Sequence, residues 1–64
     1  MLDFQKIKRL RSDKDMTQAE VCSIAQLTIA TLSRIENGHL DQISMGTLRK
    51  LAKAYKVKPA ELLK

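Results

Sequence analysis

The sequence predicts an all-α fold, a compact bundle of five short helices, on three observations. Apolar residues recur at helical spacing throughout, and no alternating apolar and polar run is long enough to read as a strand. Thr, Ser or Pro stands where each later apolar run begins, as at helix starts. The interior must be small, because 64 residues bury only about 60% of the surface that the unfolded chain exposes. Aromatic residues are 3% of the chain, so Leu, Ile, Val and Ala have to fill that interior, within one domain spanning residues 1–64.

Phe4, Ile7 and Leu10 share one face of a first helix, with Lys6, Lys8, Arg9 and Arg11 between them. It ends at Asp13-Lys14-Asp15, where Asp15 tolerates the left-handed conformation usually given to Gly. Thr17 and Glu20 have the spacing of a capping box, each side chain taking up the other residue's backbone N–H, and Met16 can staple the entry. The second helix then carries Val21, Cys22 and Ala25 inward. Thr28 caps a third, in which Leu32, Ile35 and Thr28 cluster on the inner side, and Gly38 after Asn37 stops it. Thr17 to Gly38 therefore reads as a helix-turn-helix. Residues 39 to 43 form a loop, and Ser44 caps a fourth helix with Leu48, Leu51, Ala52 and Tyr55 on one face. Pro59 suits the first position of a short fifth helix carrying Leu62 and Leu63.

The formal charge of +5 suggests a polyanionic partner, since counterion release favours basic surfaces on nucleic acid. The excess lies in the flanks: the segment from 17 to 37 holds Arg34 against Glu20 and Glu36, while both flanking segments are basic. A protein that grips phosphates with its flanks and reads bases with its middle has this layout, as does an ordinary basic surface. Cys22 is alone, which excludes an intrachain disulfide and a thiolate zinc site, and His39 has no further donors around it in sequence. No metal or cofactor is expected. The N-terminus lacks the apolar run of a signal peptide and no stretch approaches the length of a membrane span, so the expectation is a cytoplasmic chain with no membrane partner.

The blocks Thr17-Gln18-Ala19-Glu20, Thr28 to Leu32 and Arg34-Ile35-Glu36-Asn37-Gly38 together resemble the phage-repressor and Cro-like (XRE-type) helix-turn-helix family. Thr47 to Ala54, then Val57 with Glu61-Leu62-Leu63, resemble its fourth and fifth helices, so the likeness covers nearly the whole chain. The resemblance implies a lambda-repressor-like fold and a transcriptional regulator, more often a repressor, that binds double-stranded DNA. It further implies a homodimer on a palindromic operator, paired near the fifth helix. Gln26 departs from the pattern, standing where the family usually has Gly, so the turn needs Gln26 in a strained or altered conformation. Cys22 replaces the usual Ala, and Lys58 a common Ser cap.

At about 100° per residue, Ala30, Ser33, Arg34 and Asn37 lie opposite the inward side of the third helix, with Ile29 at the boundary. Ile29, Ala30, Ser33 and Arg34 are the candidate base contacts. Arg34 can donate bidentately to a guanine, with a phosphate contact or a solvated charge as the alternative. Ile29 and Ala30 can pack on thymine methyls, Ile29 having core packing as its alternative, and Ser33 can make an adaptable hydrogen bond. The resemblance places phosphate contacts at Gln18, at Asn37 and at the amides following Ser44; Thr28 and Thr47, at the starts of their helices, join this set. Gly46, without a side chain, would let a phosphate come close. Arg11 and Glu36 match a charged pair that ties the first helix to the end of the third in related domains.

An enzyme is disfavoured: there is no carboxylate pair, no phosphate-cradling Gly-rich loop and no base beside the single thiol. A protein-interaction module on the same fold, an antitoxin or adaptor with DNA binding secondary, stays open, because fold alone does not fix function. Such a module should expose an apolar patch on the outer side of the third helix. A single-strand RNA reader would need stacking aromatics, and Phe4 and Tyr55 are both assigned to the core.

Overall fold

The computed structural model describes residues 1–40 and 42–64; Asp41, in the expected loop, lies outside the described residues. Four α-helices follow one another: α1 (Phe4–Asp13), α2 (Gln18–Ala25), α3 (Ile29–Glu36) and α4 (Met45–Tyr55). The expected fifth helix is a four-residue 3-10 turn, Pro59–Leu62. Pro59 opens it as anticipated, and the Glu61 carboxylate accepts from the Lys58 N–H at 2.8 Å. It goes no further because Leu63 returns to extended backbone and forms an antiparallel bridge with Leu2. That bridge places Asp3 N–H on the Leu62 carbonyl (2.9 Å) and Lys64 N–H on that of Met1 (3.1 Å), so the two ends of the chain close on each other.

Each α-helix begins with a side-chain cap: Asp3, Thr17, Thr28 and Ser44 accept from the backbone N–H three residues on. The helices also end alike, with one residue at positive φ (Asp15, Gln26, Gly38 or Lys56). The N–H that follows reaches back five residues, Met16 to Arg11, Leu27 to Cys22, His39 to Arg34 and Val57 to Ala52. Only Gly38 among them is glycine, and packing explains why: a Cβ there would lie 3.2 Å from the Phe4 ring.

Ile7, Val21, Ala25, Leu32, Ile35, Leu51, Tyr55 and Leu62 have no measurable exposure and form the centre of the core. Leu2, before the first helix, is also buried, and nothing in the local pattern marked it. Three inward assignments need correction. Phe4 is only half-buried, because it lies across Gly38 with the Lys64 ammonium 5.5 Å above its ring. Leu63 is exposed, since the extended backbone after the turn points it away from Leu62's side. Thr28 is exposed rather than clustered with Leu32 and Ile35, because as a cap it has extended backbone and its hydroxyl serves Thr31.

Candidate nucleic-acid interface

The Thr17 capping box is complete: its hydroxyl accepts from Glu20 N–H at 3.1 Å, and the Glu20 carboxylate from Thr17 N–H at 2.9 Å. The latter bond, then that from the Thr17 side chain, holds the Glu20 carboxyl below its ordinary range. Gln18 follows at the first helical position and is half-buried. Its amide nitrogen donates to the Glu36 carboxylate at 3.3 Å, leaving one amide N–H free to point elsewhere.

Glu36 is the buried charged residue among those described, and it is neutralised where it stands. The Arg11 guanidinium grips it with two bonds, Nε to Oε2 at 2.7 Å and a terminal nitrogen to Oε1 at 3.1 Å. Another Arg11 nitrogen donates to the Met16 carbonyl at 3.0 Å. The hydrogen bond to Glu36 raises the Arg11 pKa further, so the guanidinium keeps its charge. One carboxylate thus ties α1, the start of α2 and the end of α3 together. Within 17–37 the exposed charges are then Glu20 and Arg34, so the acidic balance of that segment is absent from its surface.

The turn between α2 and α3 carries Gln26 at φ 57°, ψ 44°, the left-handed region that favours Gly. Its side-chain amide oxygen, Oε1, accepts from Lys50 Nζ on α4 at 2.8 Å. Nothing local in the sequence links these two residues, which lie 24 apart.

On α3, Ile29 (52% exposed), Ala30, Arg34 and the following Asn37 face outward, and Ser33 is partly exposed. Their hydrogen bonds stay local: Asn37 Nδ2 donates to Ser33 Oγ at 3.3 Å, and the Thr28 and Thr31 hydroxyls lie 2.8 Å apart. At the start of α4, Ser44 Oγ accepts from Thr47 N–H (3.1 Å) and donates to Thr47 Oγ1 (2.9 Å). A Cβ on Gly46 would meet nothing nearer than Ser44 Oγ at 4.0 Å, so the fold does not require glycine there.

A family model for the Cro/C1-type helix-turn-helix DNA-binding domain matches residues 6–64. The chain belongs to that family. Among solved structures, this Cro/C1-type domain is similar to the restriction-modification controller protein C.AhdI from Aeromonas hydrophila, with 27% identity and a TM-score of 0.85 over 94% of this chain and 89% of that one. The P22 c2 repressor, solved with a synthetic operator, shares its fold at 23% identity, with a TM-score of 0.89 over 100% and 96%. SinR in the SinR/SinI complex matches at 28% identity and 0.87 over 100% of this chain and 61% of that one. No curated protein sequence gives a significant match.

A shallow cavity of about 250 Å³ lies between the paired chain ends and the start of α4, lined by Met1, Leu2, Gln42, Ile43, Met45, Leu48 and Leu63. Met1, Met45 and Leu63 are well exposed there. No described helix is long and apolar enough to cross a membrane.

Proposed function

We propose that this Cro/C1-type domain is a sequence-specific transcriptional repressor that places α3 in the major groove of duplex DNA and braces α2 across the backbone. The outer side of α3 carries the reading: apart from Ile29 its residues are small or basic, and among the described residues none hydrogen-bonds through its side chain to another helix, whereas Leu32 and Ile35 on the inner side are fully buried. Ile29, Ala30, Ser33 and Arg34 are assigned to bases. Gln18, Thr28, Asn37, Ser44, Gly46 and Thr47 are assigned to phosphates, Gln18 through the amide N–H that Glu36 leaves free. The make-up of α3 favours this reading over a protein-interaction module, because Ile29 is the one exposed large apolar residue on that helix and Ala30, Ser33 and Arg34 accompany it. The similarity to a controller protein at 27% identity supports a regulator.

With a longest dimension of 24 Å, one copy cannot reach two successive major-groove faces, which lie about 34 Å apart. A symmetric homodimer would place one copy on each half of a palindromic operator, and this is the assembly assigned to the domain. Its pairing surface is assigned to the largely apolar cavity beside the chain ends, which adjoins the start of α4.

Selecting bound sites from random duplex DNA tests both parts. Enriched sites should carry two inverted half-sites with centres about 10 base pairs apart or a multiple of that. Failure to enrich any duplex sequence would defeat the DNA reading. Enrichment of single, unpaired half-sites would defeat the dimer alone.

A further inference from the structure

We propose that Lys50 is a DNA-backbone contact, and that Gln26 is the positioning residue that holds its ammonium beside the entry to α3. This rests on the placement of α3 in the major groove argued above, and adds a phosphate-binding residue outside the set assigned there.

Gln26 occupies the left-handed region at φ 57°, where a glycine would carry no penalty. The turn itself needs only that backbone conformation, which lets the Leu27 N–H return to the Cys22 carbonyl at 3.0 Å. What a glycine cannot supply is the contact across to α4, where Lys50 Nζ donates to Gln26 Oε1 at 2.8 Å. An ammonium can only donate, so the amide turns its oxygen to Lys50, and the ammonium keeps two N–H for another acceptor. Both residues are exposed, and one hydrogen bond in solvent adds little to stability. Its effect falls on Lys50, a long side chain that is ordered before any ligand arrives and so loses less freedom on binding one.

The pair stands between two places already assigned to phosphates. Gln26 precedes by two residues Thr28, the cap of α3. Lys50 follows Gly46 by four residues, so the two share a face of α4 one turn apart. Among the described residues the sole ion pair is Arg11 with Glu36, so the Lys50 charge is not spent on a carboxylate. A fixed cation in that position meets the backbone of a duplex that runs past Thr28 and the start of α4.

The test measures the intact protein on the selected operator and on a random duplex of equal length, by fluorescence anisotropy across a salt series, with melting temperatures alongside. Lys50→Met should melt as the parent does and weaken both duplexes by the same factor. Its slope of log affinity against log salt should be shallower by about 0.9, the share of one phosphate. Lys50→Arg should keep the parent's slope. Lys53→Met, which removes an exposed charge from the same helix, should move the slope far less. Gln26→Gly should melt no lower than the parent yet bind both duplexes about threefold more weakly, the cost of ordering one long side chain. In the Lys50→Met background the same change should cost nothing further.

A salt slope unmoved by Lys50→Met, or moved equally by Lys53→Met, would overturn the proposal. So would a loss confined to the operator, or a Gln26→Gly protein that binds as tightly as the parent or loses as much again without Lys50. Absence of sequence-specific duplex binding by the parent protein would instead defeat the underlying reading, and it shows before any variant is made.

Discussion

On its inner side, α3 buries Leu32 and Ile35 completely and ends in Glu36, whose carboxylate takes donors from Arg11 on α1 and Gln18 on α2. On its outer side, among the described residues, Ile29, Ala30, Ser33 and Arg34 make no side-chain hydrogen bond to another helix, and the bonds there stay local, Asn37 to Ser33 and Thr28 to Thr31. Eight residues thus serve two ends that a half-turn of the helix keeps apart. Substitutions should sort by side, the inner ones moving stability and the outer ones moving DNA affinity.

The largest effect is expected at Arg11. Arg11→Ala leaves Glu36 buried without its guanidinium, which costs about 3 kcal/mol or more. A domain of this size has roughly 3–10 kcal/mol in total, so the urea midpoint should fall steeply. Replacing both partners together, Arg11→Met with Glu36→Met, should recover much of the loss, since an apolar pair strands no charge. A midpoint unmoved by Arg11→Ala would show that the inner side is held by its apolar residues alone.

Arg34→Ala should do the reverse. Thermal stability should change by less than about 0.5 kcal/mol, as for an exposed residue whose side chain has no partner among the described residues. Binding to the selected operator should lose about 1–3 kcal/mol and relax its preference at one base pair. An equal loss on every sequence would reassign Arg34 to a phosphate.

Gly38→Ala tests the seam between the sides. The left-handed φ of 77° costs a non-glycine residue about 1–2 kcal/mol, and the added methyl meets the Phe4 ring. A lower melting temperature with unchanged affinity for the folded protein is expected. If Phe4→Leu in the Gly38→Ala background restores nothing, backbone strain carries the whole effect.

Much of this was legible in the sequence because it rests on short-range rules. The Thr17 and Glu20 box, the Thr28 and Ser44 caps and the Gly38 stop each depend on residues within one turn, and periodicity placed Leu32 and Ile35 inside. The Arg11 and Glu36 pairing was available only through resemblance, since residues 25 apart carry no local signal. What escaped was likewise nonlocal. Leu2 is buried because the far end of the chain folds back on it, and that same bridge stops the last helix after one turn. Gln26 stood out as an anomaly, but its link to Lys50 belongs to the packing of α2 on α4. Glycine content likewise could not rank Gly38 above Gly46. The difference is a neighbouring ring in one case and open space in the other.

The smallest effect concerns the cap that opens the recognition unit. The Glu20 carboxyl is held below its ordinary value chiefly by the Thr17 N–H, then by the Thr17 side chain, at a fully exposed site. A carboxyl whose pKa is lower folded than unfolded stabilises the fold above its unfolded pKa, and that contribution fades as the pH falls through the folded value. Glu20→Gln keeps a carbonyl that can accept from Thr17 N–H but removes the charge facing the helix N-terminus. The parent should therefore melt slightly higher than Glu20→Gln at neutral pH, and the two should converge below the carboxylate range. Melting curves that stay parallel down through acid would mean that the cap works by hydrogen bonding alone. In that case the start of α2 would owe nothing to charge, and the pH sensitivity of the domain would have to arise at other carboxylates.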